Sequence, residues 1–252
     1  MKLETYKKLY RRLNRVEDID TLCKEYHLTK DALFNILSQK IVRNATQRYY
    51  KIKRYSRDLV HEWLNNKSFL EIAKRIDFPP VLTASIILQQ YGISKKRFWK
   101  YITHLELLPD PRLKKELTEA ANADWCYSPK AMVSQRERGN RVEDAVKEWL
   151  TKQGFEFERE KDLKKRYKKT PDFLLKKPLN LDGERINWIE CKASFGDAVE
   201  IRRNKKKQFL PYTEIFGPGM VVYWHGFIED IETLKDVTFR DRGFFDTQIK
   251  TF

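Results

Sequence analysis

A charged pair interrupts an apolar segment in the C-terminal half of this 252-residue chain. The segment reads Trp-Ile-Glu-Cys-Lys-Ala, so that Glu190 and Lys192 lie two positions apart. In a β-strand, alternation sends both side chains to the same face. With 35% charged residues, a Glu-x-Lys pair also arises by chance. The apolar context makes chance a weaker explanation, because burying unpaired charge is costly.

A second carboxylate, Asp172, begins the preceding predicted strand, which runs to Leu181. A turn around Asp182 and Gly183 would join the two strands, and Asp-Gly is typical of a two-residue hairpin turn. That closure would direct Asp172 away from Lys192, because a shift of one residue exchanges the two faces of a strand.

A three-residue loop, residues 181–183, would instead set Asp172 opposite Lys192 on the same face. Gly183 would then adopt the left-handed conformation. A bulge near Pro178 would achieve the same correction. We predict the three-residue loop, because it brings the charged side chains together.

Asp172, Glu190 and Lys192 together suit hydrolysis of a phosphodiester. The reaction requires an activated water and stabilisation of developing negative charge. Mg²⁺ prefers hard oxygen ligands and keeps several waters, so one or two carboxylates suffice to hold it. The net charge of +15 and the pI of about 9.6 favour a polyanionic partner, with nucleic acid as the first candidate.

A helix is predicted over residues 136–154 and offers a further acidic group. Its apolar stripe consists of Val142, Ala145, Val146, Trp149 and Leu150. Glu143 lies at the edge of this stripe and could reach the end of a sheet. Asp144 points away and is expected to be a solvated surface charge.

The chain changes character along its length. Residues 1 to about 125 carry helical periodicity, whereas short β-branched and aromatic runs begin near residue 155. We therefore predict a helical DNA-binding domain, residues 1–125, and an α+β or α/β domain, residues 126–252. The second domain is expected to have the order αβββαβ with a mixed central sheet, and the residues from Ile231 onward are ambiguous.

The helical half contains a weak internal repeat at an offset of 50 residues. It aligns Leu22 with Ile72 and Leu28 with Phe78. Each copy reads as a short helix, a turn and a longer helix, which is typical of a helix-turn-helix unit. The alternative is a helical bundle that only packs against the other domain.

Two basic tracts in the same half interleave charge with aromatic residues. They begin at Lys51 and Ser94, and their cations are Lys51, Lys53, Arg54, Lys95, Lys96 and Arg97. Such tracts favour contacts with the nucleic-acid backbone or with single strands.

The composition also excludes some classes of protein. No apolar run approaches the roughly 18 residues needed to span a bilayer, and the N-terminal residues do not resemble a secretory signal. Cys23, Cys126 and Cys191 are far apart without a CxxC pair, so we expect reduced thiols and no zinc site.

Several motifs together resemble the PD-(D/E)XK nuclease superfamily. They are Glu143, the Pro-Asp of Thr170 to Phe173, and the Glu-Cys-Lys of Glu190 to Lys192. Gln208 and Tyr212 resemble the QxxxY element of its RecB-like branches, provided that one helix continues through Pro211. The segments KTPDF, WIECKASFGD and FGPGMVVYWHGF are similar to the TPD-motif family, which includes codanin-interacting nucleases and archaeal relatives. The resemblance is dense over residues 169–230 and thinner before them.

The resemblance implies a restriction-endonuclease-like fold with helix-turn-helix units before it. It implies coordination of Mg²⁺, with Mn²⁺ able to substitute, by Asp172, Glu190 and the main-chain carbonyl of Cys191. Glu143 would join the metal through a water.

The remaining site residues would act without binding the metal directly. Lys192 would orient the water or stabilise charge, and Gln208 would steady the site. Tyr212 is grouped with the residues expected to contact nucleic acid.

The sequence therefore predicts a divalent-metal-dependent deoxyribonuclease that acts on structured or branched DNA in repair or recombination. The alternative is a DNA-binding adaptor or regulator that uses a nuclease fold as a scaffold. Family resemblance suggests a protein partner, and a homodimer would supply two sites for two nicks. We expect an intracellular protein, cytoplasmic if it comes from a prokaryote such as an archaeon and nuclear if it is eukaryotic.

Overall fold

The computed structural model describes residues 1–231 and 234–249, with residues 247–249 described by their backbone alone. Within these ranges the chain forms thirteen α-helices and five β-strands. The helices are α1 (Leu3–Arg12), α2 (Asp18–Tyr26), α3 (Lys30–Arg54), α4 (Ser56–Leu64), α5 (Phe69–Ile76), α6 (Pro80–Gln90), α7 (Lys95–Thr103), α8 (Pro111–Ala123), α9 (Pro129–Lys152), α10 (Glu160–Leu163), α11 (Ala198–Asn204), α12 (Leu210–Phe216) and α13 (Arg242–Ile249). The strands are β1 (Phe157–Arg159), β2 (Phe173–Leu181), β3 (Glu184–Lys192), β4 (Gly219–Tyr223) and β5 (Val237–Arg240). In this part of the chain no helix combines the length and apolarity needed to cross a bilayer.

The chain divides into two compact units, and the division differs from the boundary predicted at residue 125. One unit combines Met1–Leu37 with Arg138–Phe252, and the other is Ser38–Glu137. The prediction that the N-terminal half is helical is confirmed. Its first 37 residues nevertheless belong with the sheet, because Tyr6 and Asn35 make hydrogen bonds to the chain that follows β3.

The two copies of the predicted repeat share a local backbone geometry. His27 ends α2 with φ of 52°, and Asp77 ends α5 with φ of 48°. In each copy the next residue, Leu28 or Phe78, donates its N–H to a carbonyl five residues earlier. The offset of 50 residues therefore reflects two equivalent helix connections.

The second copy does not leave its longer helix free to read DNA. Most residues of α6 between Val81 and Leu88 are buried, and the helix packs against α4, α5, α7 and α8. The apolar sequence of this helix therefore supplies the core of its unit, and the helix-turn-helix assignment stays a prediction.

The unit formed by Met1–Leu37 and Arg138–Phe252 contains a mixed five-stranded sheet in the order β1-β2-β3-β4-β5. Strands β1 to β3 are antiparallel, whereas β3, β4 and β5 are parallel. Side chains of α9 pack on one face, around Ile189, and those of α11 and α12 pack on the other, around Trp188. The mixed sheet was predicted, but β5 was not. It lies in the ambiguous region, of which Glu232, Thr233 and residues 250–252 fall outside the described residues.

The hairpin between β2 and β3 closes differently from our prediction. Leu181 pairs with Glu184 across a two-residue turn, and Asp182 and Gly183 have φ of 52° and 83°. The predicted three-residue loop is therefore wrong. An Asp-Gly pair accepts two positive φ angles at low cost, which favours the tight turn.

The register changes farther along the hairpin, where the alternative prediction had put a bulge. Leu179 pairs with Ile186, but Leu174 pairs with Trp188, so β2 advances five residues while β3 advances two. Pro178 lies within this irregular stretch and has no N–H to donate to a ladder. The bulge, rather than the turn, brings Asp172 to the face of the site.

Candidate active site

Asp172 lies beside Glu190, not opposite Lys192 as predicted. It precedes Phe173, whose partner on β3 is Ile189, so the next position on β3 is Glu190. The backbone N–H of Cys191 donates to Asp172 Oδ2 over 2.7 Å. The carboxylate thus accepts a backbone hydrogen bond from β3 just beyond the last residue pair between β2 and β3.

Glu190 is the most deeply buried acidic group of the site, with 3% of its surface exposed. Its Oε1 accepts hydrogen bonds from Lys192 Nζ at 2.6 Å and from Gln208 Nε2 at 2.7 Å. Alternation along β3 therefore gives the predicted common face for Glu190 and Lys192. Its Oε2 is buried and has no hydrogen-bond partner within the described residues. Such an orphaned oxygen is expensive in a protein interior unless a ligand satisfies it.

One helical run carries Gln208 to the sheet despite Pro211. Between α11 and α12, residues 205–209 form a π-helical turn in which the N–H of Leu210 donates to the carbonyl of Lys205. Pro211 lacks an N–H and would clash within a regular α-helix. The wider turn accommodates the ring, so the run continues without a break.

Tyr212 was predicted to contact nucleic acid, and the structure contradicts this role. The residue is 3% exposed, and its hydroxyl donates to the carbonyl of Thr170 over 2.8 Å. Gln208 Nε2 lies 3.4 Å from the same hydroxyl. Tyr212 therefore fixes the segment before Asp172 to α12.

Glu143 lies on α9 at the edge of the site and is half-buried. Its Oε2 accepts a hydrogen bond from Arg159 Nη2 at 2.7 Å. The Arg159 guanidinium also lies 4.6 Å from the centre of the Phe173 ring. Asp144 is exposed, as expected. Sequence reasoning missed Arg159, although its position opposite Phe173 follows from the β1–β2 register.

Glu160 is a second residue that sequence reasoning missed. Its N–H donates to the carbonyl of Asp172 over 3.3 Å, so it continues the β1–β2 ladder to the edge of the site. Its side chain forms an ion pair of 2.9 Å with Lys164. Extending the alternation of the first strand to its last residue would have indicated this position.

The pKa values of the two central carboxyl groups are both raised. Burial raises the pKa of Asp172 well above its ordinary range, and the nearby charge of Glu190 raises it further. Burial also raises the pKa of Glu190, while Lys192 acts in the opposite direction. Asp172 and Glu190 carry two negative charges when both are ionised, and the single positive charge of Lys192 leaves one of them uncompensated.

The donor set fits a hard divalent cation. The described residues contain no cluster of three or more His, Cys, Asp or Glu side chains arranged as a metal site. Two carboxylates and a main-chain carbonyl are nevertheless the kind of donor set that Mg²⁺ takes together with water and phosphate oxygens. The orphaned Oε2 of Glu190 is the observation that favours this fit.

The carbonyl of Cys191 belongs to the same donor set. In a strand, the N–H and C=O of one residue point to the same side. The Cys191 N–H faces Asp172, whereas the Lys192 carbonyl accepts from the N–H of Trp224, the residue that follows β4. The Cys191 carbonyl therefore faces the side of Asp172. Cys23, Cys126 and Cys191 all carry thiols in the structure.

The predicted nucleic-acid tracts lie in the helical unit and are exposed. Lys51, Lys53 and Arg54 end α3, and Lys95, Lys96 and Arg97 begin α7. The Arg97 guanidinium lies 5.2 Å from the centre of the Tyr101 ring, and its Nε donates to the Tyr101 hydroxyl. Both tracts therefore present cations to solvent.

Comparison with known proteins places the chain in a family. A family model described as "Protein of unknown function TPD sequence-motif" matches residues 109–243. The relative from Danio rerio, named CDAN1-interacting nuclease 1, is 30% identical over 243 residues, covering 89% of this chain and 81% of the relative. Proteins of the same name from Mus musculus and Homo sapiens are 33% and 32% identical over 190 residues, covering 72% of this chain and 68% of each relative. No solved structure matches the chain. Both the family model and the length of the match to the relatives show that this chain belongs to the TPD sequence-motif family.

Proposed function

We propose that this protein is a divalent-metal-dependent deoxyribonuclease of the PD-(D/E)XK superfamily. The observation that carries the proposal is the buried Glu190 carboxylate, whose unpaired Oε2 accompanies a second carboxylate, Asp172, and a lysine, Lys192. The names of the relatives support a nuclease activity.

Asp172, Glu190 and the carbonyl of Cys191 would hold the metal ion, and Glu143 would approach it through a water. When bound, Mg²⁺ would lower the pKa of water and neutralise charge on the phosphate. Lys192 would orient the attacking water or stabilise the charge that develops on the phosphate. Gln208 holds Oε1 of Glu190, which leaves Oε2 for the ligand.

The substrate that we propose is DNA, held partly by the two exposed basic tracts. A net charge of +15 favours a polyanion, and phosphate contacts release counterions. We further propose a structured or branched DNA substrate and a role in repair or recombination. The names of the relatives also favour a protein partner, and a homodimer and the intracellular location stay proposals.

The test is a panel of labelled linear, flapped, forked and four-way DNA substrates and an RNA, each with Mg²⁺, Mn²⁺ or a chelator. Asp172→Asn removes the negative charge of one of the two central carboxylates. Asp182→Asn is the matched control, because Asp182 is exposed in the hairpin turn and its positive φ suits asparagine.

We expect metal-dependent DNA cleavage by the wild type and by Asp182→Asn, and none by Asp172→Asn. Binding without cleavage by the wild type would favour the scaffold alternative. Equal cleavage by wild type and Asp172→Asn would refute the assigned site.

A further inference from the structure

A five-residue loop, residues 193–197, joins the two halves of the candidate site. It begins directly after Lys192 at the end of β3 and ends at the start of α11. The helical run that starts there carries Gln208 to Glu190. The loop therefore connects the strand that carries Lys192 to the helical run that carries Gln208.

Asn35, near the start of α3, holds the first part of this loop. Its Nδ2 donates to the carbonyl of Ala193 over 3.0 Å. Its Oδ1 accepts from the N–H of Phe195 over 2.8 Å. One side-chain amide thus satisfies a backbone acceptor and a backbone donor of the loop, which fixes both its position and its orientation.

Tyr6, on α1, holds the second part of the loop. Its hydroxyl donates to Asp197 Oδ2 over 2.6 Å, in a buried position. Its ring stacks on Phe195, with 5.5 Å between the ring centres and 2° between the planes. The other oxygen of Asp197 accepts from the N–H groups of Val199 and Glu200, which caps α11.

The opposite side of the loop is fixed by backbone contacts. Gly196 donates its N–H to the carbonyl of Gly226, and its carbonyl accepts from Ile228, both over 2.9 Å. A Cβ atom at Gly196 would lie 2.8 Å from the Tyr223 ring and from Phe227. The loop is therefore held on two sides, with no room for a side chain at Gly196.

We infer that Asn35 and Tyr6 are positioning residues of the active site. They hold residues 193–197 and thereby fix Lys192 and Gln208 around Glu190, although neither residue touches the reacting groups. The inference rests on the proposed function. Errors of about 1 Å in such placements can cost about 100-fold in rate.

The experiment uses the full chain with Asn35→Ala, Asn35→Asp and Tyr6→Phe. Asn35→Asp keeps an acceptor for the Phe195 N–H but loses the donor to Ala193. Tyr6→Phe keeps the ring stack and loses only the hydroxyl. Leu33→Ala is the control, because Leu33 is fully buried in the same helix and its truncation destabilises the fold without removing a hydrogen bond to the loop.

Single-turnover cleavage and DNA binding are measured with amide hydrogen exchange of residues 193–197. We expect Asn35→Ala to cleave about 10- to 100-fold more slowly with DNA affinity within about threefold of the wild type. Asn35→Asp and Tyr6→Phe should be intermediate. The loop amides should exchange faster in all three variants than in the wild type and in Leu33→Ala.

Leu33→Ala and Asn35→Ala are compared at equal loss of thermal stability. If both lose the same cleavage rate, Asn35 contributes only to folding and the inference is wrong. If the wild type cleaves nothing, the proposed function fails. Amide exchange then tests by itself whether Asn35 and Tyr6 hold residues 193–197. If the Phe195 amide exchanges at the same rate in Asn35→Ala as in the wild type, Asn35 does not hold the loop and the inference is wrong.

Discussion

The carboxylate of Asp172 accepts the backbone N–H of Cys191 over 2.7 Å, which ties an acidic side chain to the edge of the neighbouring strand. Backbone positions in a sheet are among the best fixed in a protein, so this carboxylate is oriented before any ligand arrives. Rigid support of this kind is what a binding site for a small cation requires.

The first prediction concerns the stability of Asp172→Asn in the presence of a chelator. The pKa of Asp172 is raised in the folded protein, because its carboxyl group is buried and lies near Glu190. A carboxyl group whose pKa is higher in the folded than in the unfolded protein stabilises the fold at a pH below its unfolded-state pKa. This stabilisation is lost as the pH rises through the folded-state pKa. Asp172→Asn should therefore be more stable than the wild type at neutral pH. Its Tm should be higher by about 2–4 °C for each kcal/mol by which the free energy of unfolding increases.

Thermal unfolding followed by circular dichroism between pH 4 and pH 8 measures this difference. The gap between the two proteins should close toward acidic pH, where Asp172 is protonated. Asp182→Asn serves as the control, because Asp182 is exposed in the hairpin turn. A wild type more stable than Asp172→Asn at neutral pH would contradict the prediction.

The second prediction compares two adjacent acidic residues on α9. Glu143→Gln should slow metal-dependent cleavage by about 10- to 100-fold, since outer groups of metal sites contribute effects of this size. Asp144→Asn should leave the rate unchanged, because this side chain is exposed. Steady-state cleavage at several Mg²⁺ concentrations distinguishes the two, and equal effects would remove Glu143 from the site.

The third prediction concerns Gln208, which donates to Glu190 Oε1 over 2.7 Å. Gln208→Glu replaces this donor with a negative charge, which should raise the pKa of Glu190 further. The pH profile of cleavage should therefore move to higher pH, and the maximal rate should fall by about 10- to 100-fold. Thr213→Ala is the control on the same helical run, and a profile that does not move would show that Gln208 does not act on Glu190.

The fourth prediction tests the basic tracts through the salt dependence of DNA binding. Three variants each remove two positive charges from the helical unit. They are Lys51→Gln with Lys53→Gln, Lys95→Gln with Lys96→Gln, and, as a control, Lys114→Gln with Lys115→Gln. Removing a lysine that neutralises a phosphate should reduce the slope of log K against log salt by about 0.9. Fluorescence anisotropy should give smaller slopes for the first two variants only; equal slopes in all three would show that overall charge, and not these tracts, holds DNA.

The placement of Glu190, Lys192 and Glu143 could be predicted from the sequence because it depends on local geometry. Alternation along β3 gave Glu190 and Lys192 a common face, and periodicity distinguished Glu143 from Asp144. Both patterns depend only on the geometry of a single strand or helix.

The features that the sequence did not predict depend on contacts between residues far apart in the chain or on competing local preferences. The turn at Asp182 and Gly183 followed its own preference, and the register was corrected near Pro178 instead. Tyr212 was assigned to nucleic acid, whereas a contact 42 positions away buries its hydroxyl. The contacts of Tyr6 and Asn35 with the loop after β3 span more than 150 residues, and no periodic pattern records them.

The bulge between Leu174 and Leu179 also bears on how family members can differ in length. It divides the β2–β3 hairpin into a tip and a base with separate registers. An irregular stretch of this kind absorbs a changed pairing locally, so insertions or deletions at the tip need not reach Asp172 and Glu190. Variation in length among relatives should therefore collect at the outer end of this hairpin, while the spacing between Glu190 and Lys192 should stay constant.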